Sequence, residues 1–435
     1  MMSPANPIDA YPTLVIGAGP TGLAFAARCP EPCLILEKDA GPGGLCRSRE
    51  IDGAMFDVGG HVFHTSSRQV QSFLEQRVEL HCQPRQARLA FGHRLIDYPF
   101  QQFFGQIEEE DIREECRAGL AGTGREAASA DNLQDHLLSR FGAGICRHFL
   151  FPYNAKLWGC KLQDLGHGWA GERVASQDRK SGRAADDGTR KRVPLDSASQ
   201  VYYPRSGGFQ SIFDALARDV PVRYGQCVRE IDVARKLLFT DTGLVFRWQR
   251  LVSTIPIPVL VRQLSGVSAP PDLSSAELQH LSLHLSLLVT AEPLQGMPHR
   301  IYVHDPSYPF HKIAFNHESS PELQARPHHA VIGETSFSAQ KALSAENIEE
   351  RLIDFLQAYG LIRGREAIRS CHAERIEHAY PIPLRGLAPA RERILAALQA
   401  MDIHSIGRFG SWAYSNCDTC LEAGWELARQ WPGIT

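Results

Sequence analysis

The sequence predicts an α/β protein in which a Rossmann-like core, built from discontinuous segments, is interleaved with a helical domain and an antiparallel β-sheet domain. Three observations predict it: a β-α-β unit at the start of the chain, a helical middle, and strands that return afterwards. Thr13–Ile16 is a short β-rich run, Gly22–Cys29 reads as a helix and Cys33–Leu36 as a second strand. Asn132–Trp158 has helical spacing, with Leu133, Leu137, Leu138 and Phe141 on its apolar side. Ser176–Val193 is the most polar stretch, dense in charge and glycine, and reads as a solvated loop or a lid over a site. Strand-like runs fill Val222–Thr254, where FTDTG separates two of them like a hairpin. Asn347–Tyr359 and Leu421–Gln430 read as helices. The expected partition is 1–101 for a first core segment and 102–200 for a helical substrate and lid domain. Residues 201–265 return to the core, 266–385 form a β-sheet substrate domain, and 386–435 close the core.

Composition narrows the function classes. Apolar residues make up 43% and charged residues 22% of the 435, as in a globular protein with a large core. With 46 Lys and Arg against 49 Asp and Glu, there is no electrostatic footprint for nucleic acid or an anionic membrane. The most apolar stretch, Leu281–Val289, is interrupted by His284 and serines, so no membrane-spanning helix is expected. The opening residues lack a basic segment followed by an apolar run, so no signal peptide is expected. Eleven cysteines without such a leader read as reduced thiols of a cytoplasmic protein.

Gly17-Ala-Gly19-Pro20-Thr21-Gly22 joins the first strand to the first helix. The first glycine permits a tight turn, the second lets backbone approach a pyrophosphate, and the third lets helix and strand pack closely. Phosphates then meet free N–H groups at the start of the helix. Glu37, twenty residues after Gly17, is placed to accept hydrogen bonds from a ribose diol, with Lys38 beside it. A second glycine turn follows at Gly41-Pro-Gly43-Gly44-Leu45-Cys46, and a third at Gly59-Gly60-His61. Three close-approach turns in about sixty residues imply a large planar ligand wrapped by the fold, which favours FAD over NAD. No G-x-S-x-G or H-E-x-x-H motif occurs. Cys417-Asp-Thr-Cys420 has no partner pair or histidine spacing for zinc, and no metal is expected.

Taken together, these motifs resemble the UDP-galactopyranose mutase family, in the style of its eukaryotic-type branch, within the amine-oxidase-like flavoproteins. The resemblance runs from VIGAGPTGL at 15–23 through GGHVF at 59–63, YPFQ at 98–101 and PYNAKLWG at 152–159. It continues with WAGERVA at 169–175, YPRSGGF at 203–209, VSTIP at 252–256, HAYPIP at 378–383 and RFGSWAY at 408–414. It implies bound FAD that is active when reduced, by NAD(P)H or another reductant, and a UDP-sugar substrate. The implied reaction has no net redox change. The reduced flavin N5 attacks the anomeric carbon and expels UDP, the sugar ring opens, O4 closes back, and UDP returns.

What the resemblance implies residue by residue is specific. His61 would place its backbone carbonyl near N5, Arg408 and Asn416–Cys417 would meet the isoalloxazine and ribityl chain, and Val228 the adenine. Tyr98, Phe100, Gln101, Phe149, Tyr153 and Asn154 match a uridine pocket of aromatic faces and carboxamides. Arg173, Tyr302, Tyr380 and Tyr414 match diphosphate contacts, with His61, Arg173 and Lys312 nearest the chemistry. Three positions depart from the pattern: Lys312 replaces a common Arg and lacks its bidentate fork, Arg300 stands near an expected Trp, and Ala198 replaces an Asn. The last two are expected near the sugar, so a related UDP-sugar stays open as substrate. Other readings are a flavin oxidase acting on an amine, and a flavin- or UDP-binding protein without chemistry. The oligomeric state is left undecided.

Overall fold

The computed structural model describes residues 8–123, 130–172, 174, 199–267, 271–272, 278–343 and 346–432. Its first sheet grows from the run Leu14-Val15-Ile16, which is apolar on both faces and becomes a central parallel strand. The strand Asp9–Ile16 lies between Val245–Ser253 and Cys33–Leu36, with Leu14 opposite Leu251 on one side and Leu34 on the other. The order is Leu264–Ser265, Val228–Asp232, Leu237–Thr240, Val245–Ser253, Asp9–Ile16, Cys33–Leu36 and Val222–Arg223. Ile403–Ser405 pairs with the far end of Val245–Ser253. FTDTG forms the expected turn between antiparallel Leu237–Thr240 and Val245–Ser253. Val15 packs with Leu23, Phe25 and Trp425 on one face, whereas Leu14 and Ile16 pack with Ile394 and Leu398 on the other.

The helix Cys417–Gln430 lies against the helix Pro20–Ala26, so closely that a Cβ on Gly424 would sit 2.5 Å from the Thr21 carbonyl oxygen. Beyond it, the Trp431 indole N–H donates to Glu31 Oε1 at 2.9 Å and Thr13 Oγ1 at 3.2 Å, tying the end of the chain to its first strand.

The second sheet runs Ile368–Pro381, His280–Thr290, Ala330–Phe337, Lys312–Phe315, Arg300–Val303, Ala87–Phe91 and Arg94–Asp97. It is antiparallel except where Arg300–Val303 lies parallel to Ala87–Phe91. Two of its strands therefore come from within 1–101, which the sequence assigned wholly to the cofactor core. Their apolar residues Leu89, Ala90 and Ile96 find their buried surface in the second sheet, a pairing across more than 200 residues.

The helical stretch is broken where one helix was expected. Helix Leu133–Ile145 kinks at Gly142 (φ 74°), a π turn spans Cys146–Leu150, and a further helix covers Phe151–Trp158. The kink is a crossing point: a Cβ on Gly142 would come within 2.3 Å of the Gly119 carbonyl, in the helix Glu110–Ala121. Among the described residues no helix is long and apolar enough to cross a membrane.

Candidate functional site

The three glycine turns converge at one end of the first sheet. Gly17 (φ +100°) donates its N–H to the Leu36 carbonyl at 2.9 Å. A Cβ on Gly22 would sit 2.0 Å from the Gly17 oxygen, so only glycine lets the helix with Pro20 and Thr21 approach the strand. Gly19 has no atom within 4 Å of a Cβ position, leaving its backbone open to a ligand. Gly43 N–H donates to the Ala18 carbonyl at 2.9 Å and brings Gly44 against Gly19. The Glu37 carboxylate is buried and accepts from Ala18 N–H (2.7 Å) and Asp39 N–H (2.8 Å), while burial raises its pKa. Lys38 is exposed. Val228 is buried in its strand, and its carbonyl accepts from the Gln263 carboxamide at 2.8 Å.

Next to these turns lies a cavity lined by Leu45, Gly59, Gly60, His61, Lys312 and Arg408, with Glu334 and Tyr380 among its further walls. The His61 ring stacks on Phe209, 5.1 Å between centres, and its buried Nδ1 has no protein partner among the described residues. Arg408 Nε is likewise unmet, while its guanidinium lies 4.7 Å from the Tyr380 ring centre and 5.5 Å from that of Tyr414. Asn416 stands at the N-cap position of the helix Cys417–Gln430. The Cys417 thiol is within hydrogen-bonding reach of Cys46, which that contact, His61 and Arg408 together bring down to about 5 despite burial.

A second, larger cavity of about 230 Å³ adjoins it. Tyr98, Gln101, Phe149, Tyr153, Asn154, Tyr302 and Tyr414 all reach its wall, as do Arg85, Trp169 and Asn416. Tyr98 stacks on Tyr302 (4.4 Å) and Phe149 on Tyr153 (5.3 Å). Phe100 is different. It is fully buried between Phe91 and Phe149, behind the wall, so it supports the pocket instead of lining it. Trp158 and Trp169 each meet Tyr414 edge-on at 5.6 Å; Trp169 lines the larger cavity, and Trp158 is buried behind it.

Tyr302, Lys312 and Glu334 face one another across three neighbouring strands. Lys312 Nζ lies 2.8 Å from Glu334 Oε1; the carboxylate is fully buried and the lysine keeps a small exposure to the cavity. Burial opposes the Glu334 charge, but Lys312 and His311 outweigh it and hold the carboxyl at about 2. Burial also disfavours the Lys312 charge, and Glu334 more than offsets this and raises its pKa. For Tyr302 burial works against ionisation, yet Arg85, Arg300 and Lys312 bring its phenol below the ordinary value. Burial raises the phenols of Tyr153 and Tyr380.

Arg85 is a residue the sequence reading missed. It is buried, donates from Nη2 to the Tyr302 hydroxyl at 2.7 Å, and holds its guanidinium 4.9 Å from the Tyr98 ring centre. No motif surrounds it, and its partner is 217 positions away. Glu334 was missed too. Its signal was a lone acid inside the otherwise uncharged strand Ala330–Phe337, where an unpaired charge would be too costly to bury. Arg300 was expected beside the sugar; its guanidinium instead holds the Gly60 carbonyl, on the cofactor side. Arg173, Ala198 and the Ser176–Val193 lid candidate lie outside the described residues. His280, Glu377 and His378 bring three ligand-type atoms within 4.8 Å of one another. Arg262 and Lys38 are near enough to act on His378, a setting that opposes a cation.

A family model described as an NAD(P)-binding Rossmann-like domain matches residues 15–77. The whole chain is similar to a solved structure of reduced UDP-galactopyranose mutase, at 24% identity and TM-score 0.86, over 97% of this chain and 93% of that one. It is also similar to a putative protoporphyrinogen oxidase from an Exiguobacterium species, at 15% identity and TM-score 0.72 over 97% and 98%. A putrescine oxidase bound to putrescine matches at 16% identity and TM-score 0.69 over 98% and 99%. The chain thus has a mixed α/β fold with a Rossmann-like nucleotide-binding part, shared with a mutase and with oxidases of the amine-oxidase-like kind.

Proposed function

We propose that this chain binds FAD and, with the flavin reduced, interconverts pyranose and furanose forms of a UDP-sugar, most simply UDP-galactopyranose and UDP-galactofuranose. The observation that carries the reading is the junction of the two cavities, where Tyr380, Tyr414 and Arg408 meet. The donor set fits a flavin ring. Gly19 leaves backbone open for a pyrophosphate, and the buried Nδ1 of His61 and Nε of Arg408 suit the polar edge of an isoalloxazine. Bound and reduced, the flavin supplies a nucleophile for the anomeric carbon and is regenerated at the end of each turnover.

The chain's own residues have separable tasks. Tyr98, Phe149 and Tyr153 offer faces to a pyrimidine, and Gln101 and Asn154 offer carboxamides to its edge. Because Arg85 donates to the Tyr302 oxygen, the phenolic hydrogen is left to donate onward to an anion, and the cations beside it strengthen that donor. Tyr302, Tyr380, Tyr414 and Arg85 then take the diphosphate, with Arg173 from the resemblance. Lys312 faces the same region, but shares its charge with Glu334. Trp169, beside Tyr414 in the cavity wall, helps to keep water out while a glycosyl bond is broken. Eleven free thiols suit a reducing cytoplasm.

The fold likeness to putrescine oxidase supports a second reading, an amine oxidase. Arg85 and Arg408 argue against it, because they would repel an alkylammonium substrate. Chromatography of nucleotide sugars tests both readings. Dithionite-reduced protein should convert UDP-galactofuranose to UDP-galactopyranose, and oxidised protein should not. An amine that bleaches the oxidised flavin without added reductant would favour the oxidase.

A further inference from the structure

Three thiols meet beside the cofactor cavity. Cys46 ends the short turn Gly44–Cys46, and Cys417 and Cys420 stand in the first turn of the helix Cys417–Gln430. Close backbone approach brings these two elements of the chain together. Gly44 lies against Gly19, and the helix lies against Thr21 through Gly424. Cys46 belongs to the apolar cluster that holds Leu421, and Cys417 packs against that cluster. The Cys417 thiol reaches Cys46, whereas the Cys420 thiol turns to Thr21. Leu45, His61 and Arg408 line the cofactor cavity, and His61 and Arg408 also act on the Cys46 thiol. The Cys46–Cys417 pair therefore stands one side chain behind the cavity wall.

This setting divides the two sulfurs. The hydrogen bond from Cys417, aided by His61 and Arg408, outweighs burial and favours the Cys46 thiolate. Cys417 keeps its proton, because its bond to Cys46 and then burial raise it. A thiolate beside a thiol is the reduced half of a disulfide couple. Cys417 is also the more exposed of the two residues and follows the exposed Asn416. Cys29 and Cys33 also meet, but they line neither cavity.

We propose that Cys46 and Cys417 form a redox-active dithiol that delivers two electrons to the bound flavin, so that small dithiols are a class of reductant for this protein. This rests on the flavin reading above and is independent of which sugar is bound. In the forward step the Cys46 thiolate and the Cys417 thiol join as a disulfide. Their two electrons and the Cys417 proton pass to the oxidised isoalloxazine, which becomes the anionic reduced form. An external dithiol restores the pair. One of its sulfurs attacks Cys417 Sγ, and Cys46 leaves as the thiolate that His61 and Arg408 favour. The second external sulfur then closes a disulfide within the reagent, Cys417 recovers its thiol, and one proton goes to water.

Anaerobic protein reconstituted with FAD tests it, with dithiothreitol as reductant and the visible flavin band as readout. Rates are taken per bound flavin, and dithionite gives the end point for each variant. Dithiothreitol should bleach wild type, and Cys46→Ala and Cys417→Ala should each slow bleaching by about tenfold or more. Cys420→Ala should match wild type. Wild type left in air, then alkylated and digested without reduction, should show Cys46 linked to Cys417. Flavinated wild type that dithiothreitol leaves yellow overturns the proposal, as does bleaching of both variants at the wild-type rate. A disulfide that joins Cys417 to Cys420, or no link at Cys46, overturns it equally, so wild type alone decides the matter if neither variant folds. A wild-type chain that takes up no flavin removes the flavin reading itself, a result distinguishable from all of these.

Discussion

Lys312 offers the sharpest quantitative test, because it lies 2.8 Å from a fully buried carboxylate, Glu334. Holding the Glu334 carboxyl at about 2 instead of the ordinary 4.5 corresponds to ~3 kcal/mol of stability at neutral pH. Folded Glu334 releases its proton more readily than unfolded Glu334. The stabilisation is therefore complete above pH 4.5 and is lost as the pH falls towards 2. Lys312→Met leaves that carboxylate buried with the Gly60 N–H and the weakly basic His311 as company, and should cost about 3–5 kcal/mol. The double variant Lys312→Met with Glu334→Met removes both charges and should cost much less than the two single losses added together. Urea unfolding of wild type, both singles and the double at pH 7.5 gives the coupling, expected at ~2 kcal/mol or more. Additive single losses below about 1 kcal/mol would refute the claim that the pair organises this part of the sheet.

Other expectations follow from the same geometry. Arg85→Ala should weaken UDP binding by about 10- to 100-fold, as expected for a lost charge-assisted hydrogen bond; calorimetry on flavinated protein measures it, and flavin content should not change. Gly22→Ala should abolish flavin loading, because the new Cβ meets fixed backbone at 2.0 Å; stoichiometric flavin in that variant would contradict the tight turn. Acid should unfold the chain early. Burial holds His299 and His329 at about 4 and His311 at about 3, all below the ordinary 6.5, so the unfolded chain takes up protons first. Stability is then lost between pH 6.5 and 4 at ~3 kcal/mol or more per histidine, a sum comparable with the whole stability of a domain. Circular dichroism that stays native down to pH 4 would count against neutral buried imidazoles.

The parts legible in the sequence are those whose geometry is local. Gly17, Gly19 and Gly22 sit within six positions, so spacing alone conveys the turn. Glu37 is reached by counting along one β-α-β unit, and the structure puts its carboxylate back on Ala18. The aromatic and amide groups around Tyr98 and Tyr153 were visible as two clusters, yet Phe100 shows the limit of such a pattern. A wall residue and the residue packed behind it have the same chemistry, and only depth separates them. The partners of Arg85, Arg300 and Glu334 were illegible because each residue acts across sheet register, over separations of 217, 240 and 274 residues. Gly142 was hidden for a related reason. It breaks its helix because another helix crosses there, not because of its immediate neighbours.

The bond from Trp431 to Thr13 and Glu31 has a consequence for how the chain matures. During synthesis the strand Asp9–Ile16 emerges first, but its neighbour Val245–Ser253 and the covering helix Cys417–Gln430 emerge far later. Until then an apolar strand edge stays unpaired on the ribosome, the kind of surface on which nascent chains aggregate or recruit chaperones. Excising the first hundred residues as a free-standing nucleotide-binding module would make that exposure permanent. Maturation of this protein therefore waits on the helix Cys417–Gln430, and ribosome stalling before that helix has emerged would leave the strand uncovered.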